Sequence, residues 1–333
     1  MKPKKYTFYF IVSVAFILTL IATINYIVDP YWTFPHSNIL NSKQIDFNER
    51  QQKTNYLYFV DNNYDGLLLG SSRSTYINQT KLKGNIFNYA ANGMYPYEYR
   101  YYIETFQKIT KKSPKTILLG MDFFGSDKKI NRNFIQNDNL NNTKEFLYKY
   151  KLLVNYNIIK YSIKDIKQHI KVTKHLYNRH NIKNISKITD IKNQIKKGLR
   201  NLKNYEYDTK LIQYFIDIKN SFPKSTFIIY TTPVAINQFK LYMDNDLMDE
   251  YFLWLENLIN IFGEVNNFMI IDSHTKNINN FFDSNHATPK LCDIMAKKIN
   301  NEESNFGIKL NKENFQEFKK NLKRQIKELF HEK

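Results

Sequence analysis

An uncharged run from Tyr6 to Val28 constrains this chain more than any other feature of it. At 1.5 Å per residue, a helix of that length is about 35 Å long, enough to cross a hydrocarbon core of about 30 Å with some tilt. The stretch FIVSVAFILTLIATINYIV has no polar face, so it does not read as a helix laid against a soluble core. It exceeds the roughly 7–15 apolar residues of a signal peptide, and no small-x-small cleavage site or lipobox cysteine follows it. Asp29-Pro30 ends it. Lys2, Lys4 and Lys5 precede it, which predicts a cytoplasmic N-terminus and an extracytoplasmic body, periplasmic in a Gram-negative cell. Residues 1–30 therefore read as a cytoplasmic stub and a transmembrane anchor in the inner membrane. A cleaved signal peptide is the alternative.

The chain has 333 residues. Without the anchor, roughly 300 remain, enough for one α/β domain carrying a large insertion. The formal net charge is +18, but the lysines are spread along the chain and read as a solvated surface. No zinc-finger or RNA-binding signature accompanies them, so the reading includes no nucleic-acid partner. The single cysteine, Cys292, permits neither an intramolecular disulfide nor a multi-cysteine metal site. It lies among Leu291, Ile294 and Met295, which predicts a buried helix residue, not a nucleophile.

Residues 31–62 read as an irregular or helical neck. An α/β rhythm follows. Residues 66–70 (GLLLG), 85–90, 116–121 (TILLGM), 227–231 (FIIYT) and 268–271 (FMII) read as buried strands. Residues 97–109 and 291–299 have helical spacing. Strands alternating with helices imply a parallel sheet covered on both faces. Residues 126–222 interrupt the rhythm and read as a helical insertion over one end of the sheet. Within it, Ile182, Ile185, Ile188, Ile191, Ile195 and Leu199 recur every three or four residues and predict an amphipathic helix. Residues 311–333 predict a charged, peripheral helix.

Two motifs carry chemistry. Gly70-Ser71-Ser72-Arg73 directly follows the first strand, and strand C-termini are where ligands bind in a doubly wound sheet. A serine there is exposed, and the N-terminus of a following helix would stabilise an oxyanion. Asp283-Ser284-Asn285-His286 lies on a loop before Thr288-Pro289, which start the next helix. A carboxylate three residues before a histidine can accept the Nδ1 proton and leave Nε2 free to take a proton from a serine. Either motif alone is also an ordinary capped turn.

Together, at the two ends of one α/β domain, they resemble the SGNH/GDSL hydrolase superfamily. The resemblance implies a flavodoxin-like three-layer α/β/α fold with a parallel sheet, here with the helical insertion and the N-terminal transmembrane helix added. Gly70-Ser71-Ser72 matches the first block, with Ser72 at the nucleophile position. Asp283 and His286 match the last. Asn88-Tyr89-Ala90-Ala91-Asn92-Gly93 matches the second block, in which Gly93 would offer an N–H to the oxyanion beside that of Ser72. The third block departs from the pattern. The family has Gly-x-Asn-Asp, whereas this strand ends Gly120-Met121-Asp122-Phe123-Phe124, with Asp122 at the position of the oxyanion-donating Asn. An ionised carboxylate only accepts, so Asp122 is protonated, or orients another group, or leaves the donor role to Asn92. Arg73, Asn92, Gly93 and Asp122 are thus the expected oxyanion and substrate-binding set. The anchor followed by Val28-Asp29-Pro30-Tyr31, together with Gly-Ser-Ser-Arg and Gly-x-Asp-Phe-Phe, is similar to membrane-anchored members that acylate envelope polymers.

The resemblance implies extracytoplasmic acyl transfer, by transfer to a glycan hydroxyl or by hydrolysis. It implies no cofactor and no metal, a glycan or acyl-ester substrate, and a membrane-bound O-acyltransferase as partner. The competing reading is a non-catalytic anchored scaffold or glycan-binding partner of such an acyltransferase.

Overall fold

A computed structural model of the chain describes residues 3–131, 138–170, 176–184, 190–200 and 202–330. The chain forms two compact units. One comprises Met1–Asn62 and Asn137–Lys187, the other Asn63–Gln136 and Ile188–Lys333.

The first unit is built on the N-terminal helix Pro3–Val28, which is long and apolar enough to cross a bilayer. Its side chains are exposed from residue 4 to residue 20, and burial begins only in its last turns. There the Asp29 carboxylate accepts from the backbone N–H of Thr33 (2.9 Å) and Phe34 (3.0 Å) and pairs with Arg179 at 2.8 Å, all in a buried setting. The neck contains the helix Glu49–Phe59, capped by Asn48. The unit also holds helices Asn139–Lys144, Tyr148–Leu153 and Tyr156–Ile170 and a short hairpin, Leu176–Tyr177 with Lys183–Asn184. The single helix expected across residues 182–199 is not formed. Asn181 takes a left-handed conformation (φ 58) in the hairpin turn, so Ile182 belongs to the hairpin. Ile185 and Ile188 lie outside the described residues. Of the described residues in that stretch, Ile191–Gly198, capped by Asp190, are helical.

The second unit has a six-stranded sheet. Its strands are β1 (Gly66–Leu69), β2 (Ile86–Asn88), β3 (Thr116–Met121), β4 (Thr226–Thr231), β5 (Val265–Asn267) and β6 (Ile308–Leu310), in the order β2-β1-β3-β4-β5-β6. All neighbours are parallel except β5 and β6. Strand order reverses at β1, which is where a doubly wound sheet opens a crevice beyond its strand ends. Helices flank the sheet in a three-layer α/β arrangement. β1 is buried throughout, as expected of a strand covered on both faces. The helix Tyr99–Thr110 starts after a 3₁₀ turn opened by Pro96 and buries Tyr102, Ile103 and Phe106. The helix Pro289–Ile299 buries Cys292, whose thiol pKa is pushed up by burial. The C-terminal helix Phe315–Phe330 buries Phe315, Phe318, Leu322 and Ile326.

Two strand expectations need correction. The fifth strand is Val265–Asn267, not residues 268–271. Thr231 Oγ1 and Asn267 Oδ1 accept the Met269 N–H (both 3.2 Å), and Thr231 Oγ1 accepts that of Phe268 (2.9 Å), so side chains replace the ladder. The apolar stretch stays buried without being a strand. The antiparallel edge strand β6 is an addition to the expected set. It is three residues long and half exposed, so it lacks the continuous apolar signal of the inner strands.

Candidate active site

β1 ends just before Gly70, which lies beside Gly120 of β3. A Cβ at Gly70 would lie 2.2 Å from Ser74 Oγ, and one at Gly120 would lie 2.3 Å from the same atom and 2.5 Å from the Tyr230 hydroxyl. Two glycines therefore let the turn after β1 fold tightly against the sheet. The buried Ser74 hydroxyl accepts from Tyr230 at 2.8 Å and holds the turn from beneath. Ser72 stands at the top, half-buried. A single 3₁₀ turn, Ser74–Tyr76, comes after it in place of the longer helix expected there. A helix dipole is accordingly no part of this site, and only local N–H groups can serve.

Ser72 Oγ lies 2.8 Å from His286 Nε2. On the other side of the ring, Nδ1 lies 2.8 Å from Asp283 Oδ2 and 3.0 Å from Oδ1. The loop that carries this pair is closed at its base. Phe282 N–H donates to His286 O (2.9 Å) and Thr288 N–H to Asn280 O (2.8 Å). Asp283 Oδ1 also accepts the backbone N–H of Asn285 (2.8 Å) and His286 (2.9 Å), so one carboxylate orients both the ring and its backbone. Burial would raise the Asp283 pKa, but the His286 ring and the two backbone donors outweigh it and hold the carboxyl below its ordinary value. The ring is 27% exposed, so Nε2 and the serine meet at a surface that a substrate can reach.

Gly93 sits on the turn after β2, next to the Ser72 turn, with Ala91 N–H donating to Gly70 O at 3.1 Å. Its φ is +60, and no atom lies within 4 Å of where a Cβ would be. Asn92 beside it is also exposed. Among the described residues, neither the Ser72 nor the Gly93 backbone N–H donates within the chain. These are two uncommitted donors on adjoining turns, one of them on the serine itself.

Arg73 and Asp122 are placed differently from an exposed substrate-binding pair. They are 4% and 7% exposed. Arg73 Nη1 is 3.6 Å from Asp122 Oδ1 and donates to Thr232 Oγ1 at 3.4 Å, and the Thr232 hydroxyl in turn donates to Asp122. Arg73 Nη2 donates to Asn285 Oδ1 at 2.7 Å. Of the three roles open to Asp122, the geometry matches the second: it orients another group, the Arg73 guanidinium.

Several neighbours carry no sequence signal of their own. Gly198 O accepts from Asn285 Nδ2 at 2.6 Å, and a Cβ at Gly198 would come within 2.6 Å of Asp283 Cβ. Arg200 is fixed by two backbone bonds to the Gln238 amide, 2.9 and 2.8 Å, and its guanidinium carbon stands 3.8 Å from the Phe124 ring centre. Burial and the neighbouring Arg73 lower the Arg200 pKa. Asn285, by contrast, lies inside the Asp-x-x-His motif. No protein-family model matches this chain, and no curated protein matches it.

Proposed function

We propose that the chain is a serine-dependent acyl esterase or O-acyltransferase of the SGNH type, with an acyl-enzyme on Ser72. One observation carries this reading: an unbroken Ser72–His286–Asp283 relay with 2.8 Å at each step. Ser72 Oγ attacks the acyl carbonyl carbon while His286 Nε2 takes the hydroxyl proton. Asp283 holds Nδ1–H and balances the imidazolium. The N–H groups of Ser72 and Gly93 meet the oxyanion. As the tetrahedral adduct collapses, the carbon–oxygen bond to the alcohol breaks and His286 returns the proton to it. Water or a glycan hydroxyl then repeats the sequence in reverse, which gives hydrolysis or transfer from the same intermediate.

The N-terminal helix is the anchor of this enzyme in the inner membrane. The lysines before it support a catalytic unit outside the cytoplasm, with a cell-envelope glycan as the acceptor and a membrane-bound O-acyltransferase as the supplier of acyl groups.

The test is labelling of the full-length chain in detergent with a fluorophosphonate, which phosphonylates an activated serine with loss of fluoride. Labelling at Ser72 that is lost in Ser72→Ala and His286→Ala is expected, with loss of acetyl-ester hydrolysis by several orders of magnitude. Folded protein that neither labels nor hydrolyses esters would replace this reading with the scaffold one.

A further inference from the structure

Asn25 lies one turn before the end of the N-terminal helix and is buried there. Its amide donates to the carbonyls of Leu153 (2.8 Å) and Leu152 (3.4 Å), the terminal carbonyls of the helix Tyr148–Leu153. Its Oδ1 accepts from Ser162 of the helix Tyr156–Ile170 at 2.8 Å. One side chain of the apolar helix thus fixes two further helices at the level of its own last turn. A helix end that has crossed about 30 Å of hydrocarbon lies at the lipid headgroups, and elements bonded one turn from that end lie within roughly 5 Å of it along the axis.

The surface these helices present there is not that of an ordinary solvated helix. Phe146 is 82% and Tyr156 70% exposed, and Leu147, Tyr150 and Val154 are each about half exposed. At the end of the N-terminal helix, Tyr26 and Ile27 are exposed as well. Lysines flank them: Lys144, Lys149, Lys151, Lys160, Lys164 and Lys167, against two exposed acids between residues 138 and 170, Asp138 and Glu145. Lys160 Nζ lies 4.2 Å from the Tyr156 ring centre and Lys149 Nζ 5.3 Å from that of Tyr150. Aromatic rings with cationic tips beside them match the membrane interface, where rings sit at headgroup level and ammonium groups meet lipid phosphates.

We propose that residues 146–170 form a second membrane contact, lying in the headgroup layer of the leaflet from which the N-terminal helix emerges and favouring anionic lipid. This rests on the membrane-anchor reading and is independent of the acyl-transfer chemistry. Two points on one compact unit, a spanning helix and an interfacial face, would restrict the tilt of that unit in a way that a single tether cannot.

Site-directed fluorescence tests it on the full-length chain with Cys292 replaced by Ala, reconstituted into phosphatidylcholine vesicles with or without phosphatidylglycerol. A polarity-sensitive dye is placed at Tyr150→Cys, Tyr156→Cys or Ile17→Cys, and quenchers are attached to lipid headgroups or mid-chain. Expected are mid-chain quenching at position 17, headgroup-level quenching with blue-shifted emission at 150 and 156, and stronger quenching at 150 and 156 when phosphatidylglycerol is present. Changing Lys149, Lys160 and Lys164 together to Gln should abolish the lipid-charge dependence. Water-like, unquenched emission at 150 and 156 with position 17 buried overturns the second contact alone and assigns the apolar face to a protein partner. A water-like signal at position 17 overturns the anchor, and the second contact with it.

Discussion

Arg73 Nη2 donates to Asn285 Oδ1 at 2.7 Å, which ties the residue after Ser72 to the residue before His286. The nucleophile and its base thus sit on separate loops that share one buried bond. Asp122 and Thr232 hold the other side of the guanidinium. This arrangement accounts for a carboxylate at a position where the resembled family has an amide: a buried guanidinium calls for an acidic partner.

Arg73 is therefore expected to act as a positioning residue. Arg73→Ala should slow fluorophosphonate labelling of Ser72 by about 10–100-fold, the scale of a misplacement near 1 Å. Asn285→Ala should slow it comparably, and the double variant should be no slower than the worse single one, because both remove one tie. Arg73→Lys should not restore the rate, since an ammonium cannot span both partners in the guanidinium plane. Additive losses would show that the two residues act separately.

Asp283 gives a pH prediction. Its folded pKa lies below the ordinary carboxylate value because of the His286 ring and two backbone donors. A depressed carboxyl binds fewer protons when folded, so its contribution is present above the unfolded pKa and disappears as pH falls through the folded one. The difference in Tm between the native chain and Asp283→Asn should be largest near neutrality and shrink below about pH 4. In the labelling assay, Asp283→Asn should cost less than His286→Ala, because the imidazole keeps its basicity and loses its orientation.

Gly120 tests the floor of the site. An added methyl would meet the Ser74 and Tyr230 hydroxyls, both inside the sheet-facing layer. Gly120→Ala should destabilise by about 1–3 kcal/mol and displace the Ser72 turn, so the labelling rate should fall along with Tm. Removing the Tyr230 hydroxyl in the same background (Tyr230→Phe) vacates one of the three atoms within 3 Å of that methyl, leaving Ser74 Oγ and the Tyr230 ring carbon, and should recover a small part of both losses. No recovery in either measurement would mean that Gly120 matters for another reason.

The relay was legible in sequence because its parts are local. A serine directly after an apolar run, and a carboxylate three residues before a histidine at a helix start, are both patterns that a few residues write out. The same holds for the N-terminal helix, whose length and apolar character are read directly from an uninterrupted run. The contacts that hold the relay in place join distant segments. Arg73 and Asn285 are 212 residues apart, and Asn285 and Gly198 are 87 apart. Gly198 looks like a helix-ending glycine, yet it also makes room for Asp283. The fifth strand lies earlier than the apolar run predicts for a related reason: side-chain oxygens of Thr231 and Asn267 accept from donors that such a run would offer to a ladder. Periodicity reports burial well, but it does not say which acceptor a buried N–H will find.

Asp165 in the helix Tyr156–Ile170 yields the last prediction. It is fully buried, its Oδ1 accepts the Ile45 N–H at 2.8 Å, and among the described residues its Oδ2 has no partner. Burial, opposed only in part by that N–H, pushes the carboxyl up to about 8. In the unfolded chain it would ionise near pH 4. Between those values the folded state holds a proton that the unfolded state has lost, so stability falls as pH rises, by ~1.4 kcal/mol for each pH step at most. Asn at this position keeps an oxygen for the Ile45 N–H and never ionises. Asp165→Asn should therefore match the native chain near pH 4 and exceed it increasingly toward pH 8, as read from thermal unfolding of the full-length chain in detergent. A constant offset across that range, or a variant that is less stable at pH 8, would mean that Asp165 is held charged by a contact stronger than its single backbone bond.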